Sequence, residues 1–139
     1  MVDATIVLNK ISQVHQRLAR LKEKRDISLE SLKSDIDTQD IILYNLQLAI
    51  QGCIDIGSHF IADEGWGIAG SFSEIFYILQ EKGIIGQDLT DQMVAMVGFR
   101  NILVHKYETI RMDIVYNILQ MHLTDIEEFL LTITNHLKP

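Results

Sequence analysis

Hydrophobic positions recur with helical spacing along most of the chain. Between Asp3 and about Lys24 they are three or four residues apart, at Val7, Ile11, Val14, Leu18 and Leu21. This spacing predicts an amphipathic helix with one apolar face. The next segment, from Ile36 to about Ala62, is apolar on several faces. It therefore predicts the central helix of a bundle, an oligomer contact, or both.

Two shorter patterns predict the next helices. Ser71-x-x-Glu74 is a capping box that opens a helix to about Lys82, with Gly83 just past its end. Residues Gly86 to about Val104 form the following helix, whose start is rich in acidic and hydroxyl residues.

The last helix runs from about Met112 to Leu137, and its apolar stripe includes His122, which we interpret as a hydrogen-bonded core histidine. Between the first and central helices, Arg25–Ser34 is polar and predicts a short helical turn or connector. Short connections favour antiparallel neighbours. The sequence thus predicts five main helices in an all-α, antiparallel up-and-down bundle, as one domain over residues 1–139.

Composition limits the compartment and the partners. The 139 residues carry a net charge of −7, one cysteine (Cys53) and one proline (Pro139), so no intramolecular disulfide can form and long helices are favoured. The first residues lack the basic and apolar regions of a secretory signal. The longest apolar runs, such as Met93–Phe99, are far below the roughly 20 residues that span a bilayer. We expect a cytoplasmic protein without a membrane partner.

Net negative charge disfavours a nucleic-acid partner, but half of the basic residues lie in or just after the first helix. There a second periodic series forms a polar, mostly basic edge, made of Lys10, Gln13, Arg17, Arg20 and Lys24. The edge fits either a solvated helix face or a row of phosphate contacts.

Two other patterns resemble motifs without their usual context. The series Gly65, Gly67 and Gly70 matches G-x-G-x-x-G, but a helix and not a strand precedes it, which favours a helix–helix turn over a nucleotide site. One helix face also carries Asp55, His59 and Asp63. Bundle metal sites draw Glu-x-x-His from two helices, and this chain has none, so a polar stripe is favoured and no metal is expected.

The segment from Met93 to Val104 holds a single charge, Arg100, followed by Asn101. An arginine in an apolar run needs an anion or acceptors to replace its hydration. Either Arg100 makes an internal salt bridge, or it and Asn101 face a specific polar ligand.

His105 lies five residues after Arg100, which places the two side chains about 140° apart around a regular helix. They converge only if the helix ends or distorts near Val104, or if a second copy contributes one of them. In a symmetric dimer, two arginines and two histidines would line one cleft. A neutral imidazole can take the proton of a ribose 2′-hydroxyl, and a guanidinium can hold the scissile phosphate. Asn101 could orient either group, and Tyr107 could position the substrate or the histidine.

The segment from Arg100 to Tyr107 resembles the R-x4-H-x-Y signature of HepT-like toxins in the HEPN superfamily, and the arrangement of the surrounding helices agrees. The resemblance implies an α-helical homodimer that acts as a metal-independent endoribonuclease on tRNA or mRNA. It also implies an MntA-like nucleotidyltransferase antitoxin that transfers AMP from ATP to the motif tyrosine, while the toxin itself uses no cofactor.

By this resemblance Arg100 and His105 are catalytic, Asn101 and Tyr107 support them, and Tyr107 is the AMP acceptor. Lys106 and Arg111 would add positive charge for RNA near the cleft. The competing hypothesis is a non-catalytic HEPN-type binding module that docks a nucleotidyltransferase or a nucleotide, in which Arg100 and His105 hold an anion or the dimer together.

Overall fold

The computed structural model describes residues 2–137, which form seven α-helices and no strand, and Pro139 lies outside this range. A 3-10 turn, Tyr107–Thr109, follows the fifth helix, and a π-helical segment, Ile118–His122, joins the last two. The helices are α1 Ala4–Glu23, α2 Leu29–Ser34, α3 Ile36–Glu64, α4 Phe72–Glu81, α5 Gln87–His105, α6 Met112–Asn117 and α7 Leu123–His136.

Helices α1 and α3 pack side by side in opposite directions, and we call this contact the α1–α3 seam. At one end the Asp3 backbone N–H donates to Asp63 Oδ2 (2.8 Å), and towards the other Arg17 donates to the Asn45 side chain (3.4 Å). Between these contacts Gly52 faces Val14, where an added Cβ would collide with the valine. The predicted apolar stripe of α1 is buried in full: Val7, Ile11, Val14, Leu18 and Leu21.

Helix α3 is the centre of the bundle, as its apolar character predicts. It packs against α1, α2, α4, α5 and α7. Gly57 lies against Ile75, and a Cβ at this glycine would be 2.5 Å from the isoleucine Cγ2, so the missing side chain brings α4 close to α3.

The remaining long helices alternate in direction around α3. Tyr107, just past the end of α5, contacts Asp40 near the start of α3, so α5 is antiparallel to α3. Lys22 at the end of α1 pairs with Glu127 near the start of α7 (3.1 Å), so α7 is antiparallel to α1. These contacts confirm the predicted all-α, up-and-down bundle.

The predicted turn and capping box are both present between α3 and α4. Gly65 and Gly67 adopt positive φ angles of 69° and 98°, which glycine tolerates best, and the chain reverses there. Ser71 Oγ accepts from the Glu74 backbone N–H (3.1 Å), and the Glu74 carboxylate accepts from the Gly70 N–H (2.7 Å). The glycine series is therefore a helix–helix turn.

The prediction of one continuous last helix is wrong, because the π-helical segment divides it. A π turn contains an extra residue, which shifts the side chains that follow it around the axis. Leu123 consequently occupies the core, while His122 is only partly buried and has Nδ1 3.0 Å from Asp125 Oδ2. The histidine is hydrogen-bonded as predicted, but it is not a core residue.

The basic edge of α1 makes internal contacts at two positions. Arg20 pairs with Glu23 at 3.0 Å, and the Arg17 guanidinium lies 5.7 Å from the centre of the Tyr44 ring. Both contacts favour the solvated-face interpretation over a row of phosphate contacts. Among residues 2–137 there is no helix with the length and apolar character to cross a membrane.

Candidate functional site

The buried side of α5 extends from Leu89 to Leu103, but most residues after Phe99 are exposed, and we call residues 100–107 the α5 tip. The core residues in the earlier part of α5 include Leu89, Met93, Met96 and Val97. The helix ends at His105, where the Lys106 N–H closes the last turn on the Ile102 carbonyl (2.8 Å). The chain then enters the 3-10 turn, which the Thr109 hydroxyl supports by donating to the Lys106 carbonyl (2.7 Å).

Arg100 is half-buried and has no carboxylate partner among the described residues. Its Nη1 donates to Asn101 Oδ1 (3.2 Å), and its guanidinium carbon lies 4.9 Å from the centre of the Phe72 ring. Its Nε is buried without a hydrogen-bond partner. Within this part of the chain the internal salt-bridge interpretation is wrong, and the guanidinium keeps donor capacity for an anion.

His105 is exposed on the last turn of α5 and makes no side-chain hydrogen bond or ion pair with residues 2–137. Because α5 stays helical through His105, this side chain and Arg100 point about 140° apart around the axis. One protomer therefore does not bring them together. Convergence through a second copy stays a prediction.

Tyr107 lies in the 3-10 turn, half-exposed, with its hydroxyl donating to Asp40 Oδ1 (3.1 Å). Partial burial raises the pKa of the Tyr107 phenol, and the hydrogen bond to Asp40 and its negative charge raise it further. Sequence reasoning missed Asp40, because a contact across 67 residues leaves no local spacing signal.

The two basic residues expected near the cleft differ in their contacts. Lys106 is exposed and has no ion-pair partner in the described part of the chain, whereas Arg111 pairs with Asp113 at 2.8 Å. Both members of that pair are well exposed, so solvent and salt screen it strongly. Lys106 is thus the uncompensated cation nearest to His105 in sequence.

A groove of about 310 Å³ lies beside Arg100, between the start of α4 and α5. Phe72 lines it and also stacks under the guanidinium, a role that no sequence pattern indicated. The other lining residues are Ser71, Ser73, Val97 and Asn101. The groove thus presents an aromatic ring, two hydroxyl groups and an amide, and the Arg100 guanidinium contacts that ring. An aromatic ring on such a surface can stack on a nucleotide base.

The polar face of α3 does not gather its acidic and histidine side chains around one point. Asp55 accepts from the Gln51 amide (3.0 Å), while His59 Nε2 lies 3.1 Å from Asp63 Oδ2. Within residues 2–137, no group of three or more histidine, cysteine or carboxylate side chains is placed to hold a metal ion. These contacts fit the polar-stripe interpretation.

Comparison with known proteins finds relatives that match most of the chain and carry similar names. The family model described as "Ribonuclease HepT-like" matches residues 14–133. The chain is 35% identical to the mRNA nuclease HepT of Shewanella oneidensis over 125 residues, which cover 90% of this chain and 93% of that protein. It is 30% identical to the tRNA nuclease HepT of Aphanizomenon flos-aquae over 109 residues, covering 78% and 74% respectively.

Solved structures agree with these relatives. One is a complex of the tri-AMPylated Shewanella oneidensis HEPN toxin with its MNT antitoxin, matched with a TM-score of 0.87 and 35% identity over 97% of this chain and 99% of that one. Another is a toxin–antitoxin bound to AMP-PNP, with a TM-score of 0.88 and 34% identity over 94% of this chain and 98% of that one.

Proposed function

Because this chain belongs to the HepT-like ribonuclease family, we propose that it is the toxin of a toxin–antitoxin pair and acts as a cytoplasmic endoribonuclease on tRNA or mRNA. The proposal depends on the arrangement of side chains at the α5 tip. There Arg100 and His105 are accessible and neither is held by a carboxylate of residues 2–137.

The catalytic site is composite in this proposal. The side chains of Arg100 and His105 diverge on one helix, so Arg100 of one protomer works with His105 of the other across a two-fold axis. Each catalytic side chain has an exposed apolar neighbour on its own side of α5: Val104 lies about 40° from Arg100 around the helix axis, and Ile102 lies about 60° from His105. Asn101 supports the site by accepting a hydrogen bond from Arg100 and so fixing the guanidinium.

These groups can cleave RNA by attack of the ribose 2′-hydroxyl, without a metal ion. His105 accepts the 2′-hydroxyl proton as the 2′-oxygen bonds to the adjacent phosphorus. Arg100 stabilises the charge of the pentacoordinate phosphorus, and the bond to the 5′-oxygen then breaks, with water protonating the leaving oxygen. The products are a 2′,3′-cyclic phosphate and a 5′-hydroxyl. Lys106, and Arg111 when released from Asp113, attract the RNA backbone.

The partner is an MntA-like nucleotidyltransferase that neutralises the toxin by transferring AMP from ATP to Tyr107. This tyrosine is two residues from His105 and its side chain is half-exposed. Each adenylate adds negative charge and bulk beside the cleft, which repels RNA. The AMPylated state of the Shewanella oneidensis relative in complex with its antitoxin supports this assignment.

Ribonuclease activity is tested with purified protein, tRNA or mRNA, and EDTA. Wild-type protein should cleave, whereas His105→Ala should lose at least about 10²-fold in rate, the usual size of a general-base contribution. His15→Ala, an exposed histidine on α1, is the matched control and should cleave normally. Retained cleavage in His105→Ala would remove the catalytic assignment. Stable binding of the partner without RNA cleavage at any protein concentration would favour the binding-module hypothesis.

The modification site is tested by intact mass after co-expression with an MntA-like nucleotidyltransferase, such as the MNT antitoxin of the Shewanella oneidensis relative. Wild-type chain should gain adenylate mass and Tyr107→Phe should not. Tyr77→Phe is the control, because Tyr77 and Tyr107 are each 50% exposed. Adenylate on Tyr107→Phe would place the modification elsewhere.

A further inference from the structure

One contact at the α5 tip has no evident role in folding. Asp40, on the second turn of α3, accepts a hydrogen bond from the Tyr107 hydroxyl (3.1 Å). Both residues are exposed, and an exposed hydrogen bond contributes little to stability. The end of α5 is also fixed independently by the backbone bond from Lys106 to Ile102.

The hydrogen bond involves the Tyr107 hydroxyl oxygen, which must act as the nucleophile in adenylyl transfer. A phenol becomes a good nucleophile when a base removes its proton as the new bond forms. The environment of Tyr107 raises the pKa of the phenol, so the free phenolate is scarcer at neutral pH than for an ordinary tyrosine. Asp40 provides a carboxylate at hydrogen-bond distance from that proton.

We propose that Asp40 is the general base for adenylylation of Tyr107, an inference that rests on the proposed function. Tyr107 Oη bonds to the α-phosphorus of ATP while the bond from that phosphorus to the pyrophosphate oxygen breaks. The phenol proton passes to the Asp40 carboxylate, and pyrophosphate leaves. Asp40 then loses the proton to solvent.

The product no longer fits this contact. The esterified oxygen of Tyr107 has no proton to donate, and its phosphate is negatively charged. Attraction to Asp40 therefore changes to repulsion, and the modified side chain moves away from α3.

The test measures the rate of adenylate gain by intact mass, using the full chain, an MntA-like nucleotidyltransferase that modifies the wild-type chain, ATP and Mg²⁺. Asp40→Asn keeps an acceptor oxygen for Tyr107 but removes the base, and should slow the first transfer about 10²-fold. Asp37→Asn removes the same charge one turn earlier on α3, where the side chain is exposed, and should react at the wild-type rate. Thermal melting should show both variants folded.

The direction of the rate change in Asp40→Asn distinguishes a general base from a carboxylate that acts only through its negative charge. If Asp40 acted only by its negative charge, its removal would lower the phenol pKa and make transfer faster. A rate in Asp40→Asn equal to or above that of wild type would therefore overturn the inference while leaving the proposed function intact. A wild-type chain that gains no adenylate would overturn the proposed modification, and this inference with it.

Discussion

The α1–α3 seam and the α5 tip use similar residue types for opposite purposes. In the seam, apolar side chains are buried, glycine allows close approach, and the half-buried Arg17 donates to Asn45. At the tip, Ile102 and Val104 are 39% and 41% exposed, and His105 has no side-chain partner in the described range. The seam is complete within one chain, whereas the tip offers apolar and cationic groups that the monomer leaves unused.

This difference separates the residues that stabilise the fold from the residues that are available for recognition. Stability depends on burial, so residues that hold the bundle together should tolerate little change. Exposed residues contribute little to stability, so substitutions at the exposed positions of the tip should leave the fold intact and alter activity or association.

Truncation in the seam should have the largest effect on stability. Leu18 is 1% exposed, and Leu18→Ala should lower the free energy of unfolding by about 2–5 kcal/mol. His105→Ala at the tip should change it by less than about 0.5 kcal/mol. Denaturant unfolding at one protein concentration measures both. A loss in His105→Ala as large as that in Leu18→Ala would make the tip a structural element.

Two glycines should respond to alanine with opposite signs. Gly52→Ala should cost about 1–3 kcal/mol, because the new Cβ meets the Val14 side chain. Gly98 lies within α5 with open space around it, so Gly98→Ala should stabilise by about 0.5–1 kcal/mol. The same unfolding experiment compares them. Equal changes in the free energy of unfolding would mean that Gly52 in the seam is packed no more closely than Gly98 in α5.

A charge on the apolar part of the tip should weaken the dimer proposed above. In a two-fold symmetric dimer, Ile102→Asp places one new aspartate from each subunit at the contact. It should raise the dimer dissociation constant at least about tenfold, or about 1.4 kcal/mol. Leu131→Asp, at an exposed position on α7, is the control and should leave the constant unchanged. Sedimentation across a concentration series measures it. An unaffected dimer in Ile102→Asp would exclude the tip from the interface.

The phenol of Tyr107 should ionise above its ordinary pKa of 10, and Asp40→Asn should lower that value. An unfolded tyrosine loses its proton first as the pH rises. The contribution of Tyr107 to stability is therefore complete below pH 10 and is lost as the pH rises towards the folded pKa. Ultraviolet titration of wild type against Tyr107→Phe isolates this group. Ionisation at or below pH 10 would contradict the contact with Asp40.

The helices were predictable where periodicity and packing agree. The stripe of α1, the capping box at Ser71 and the turn at Gly65 are each specified by neighbouring residues, and the structure contains all three. The π-helical segment was not predictable, because the apolar steps before and after it also fit a regular helix. The position of His122 depends on that extra residue.

The site could be located from the sequence only along α5. An arginine inside an apolar run and a histidine at a helix end are local signals, and both residues lie on the accessible tip. Phe72 and Asp40 come from other helices, and only the tertiary fold brings them to Arg100 and Tyr107.

The central claim, that each active site combines Arg100 of one subunit with His105 of the other, is tested by mixing two inactive variants. Arg100→Ala and His105→Ala, unfolded together and refolded, should form mixed dimers that each carry one intact pair. Random pairing makes half of the dimers mixed, so about a quarter of wild-type cleavage should return if the two pairs act independently. Cleavage no greater than that of the separate variants would contradict a shared site.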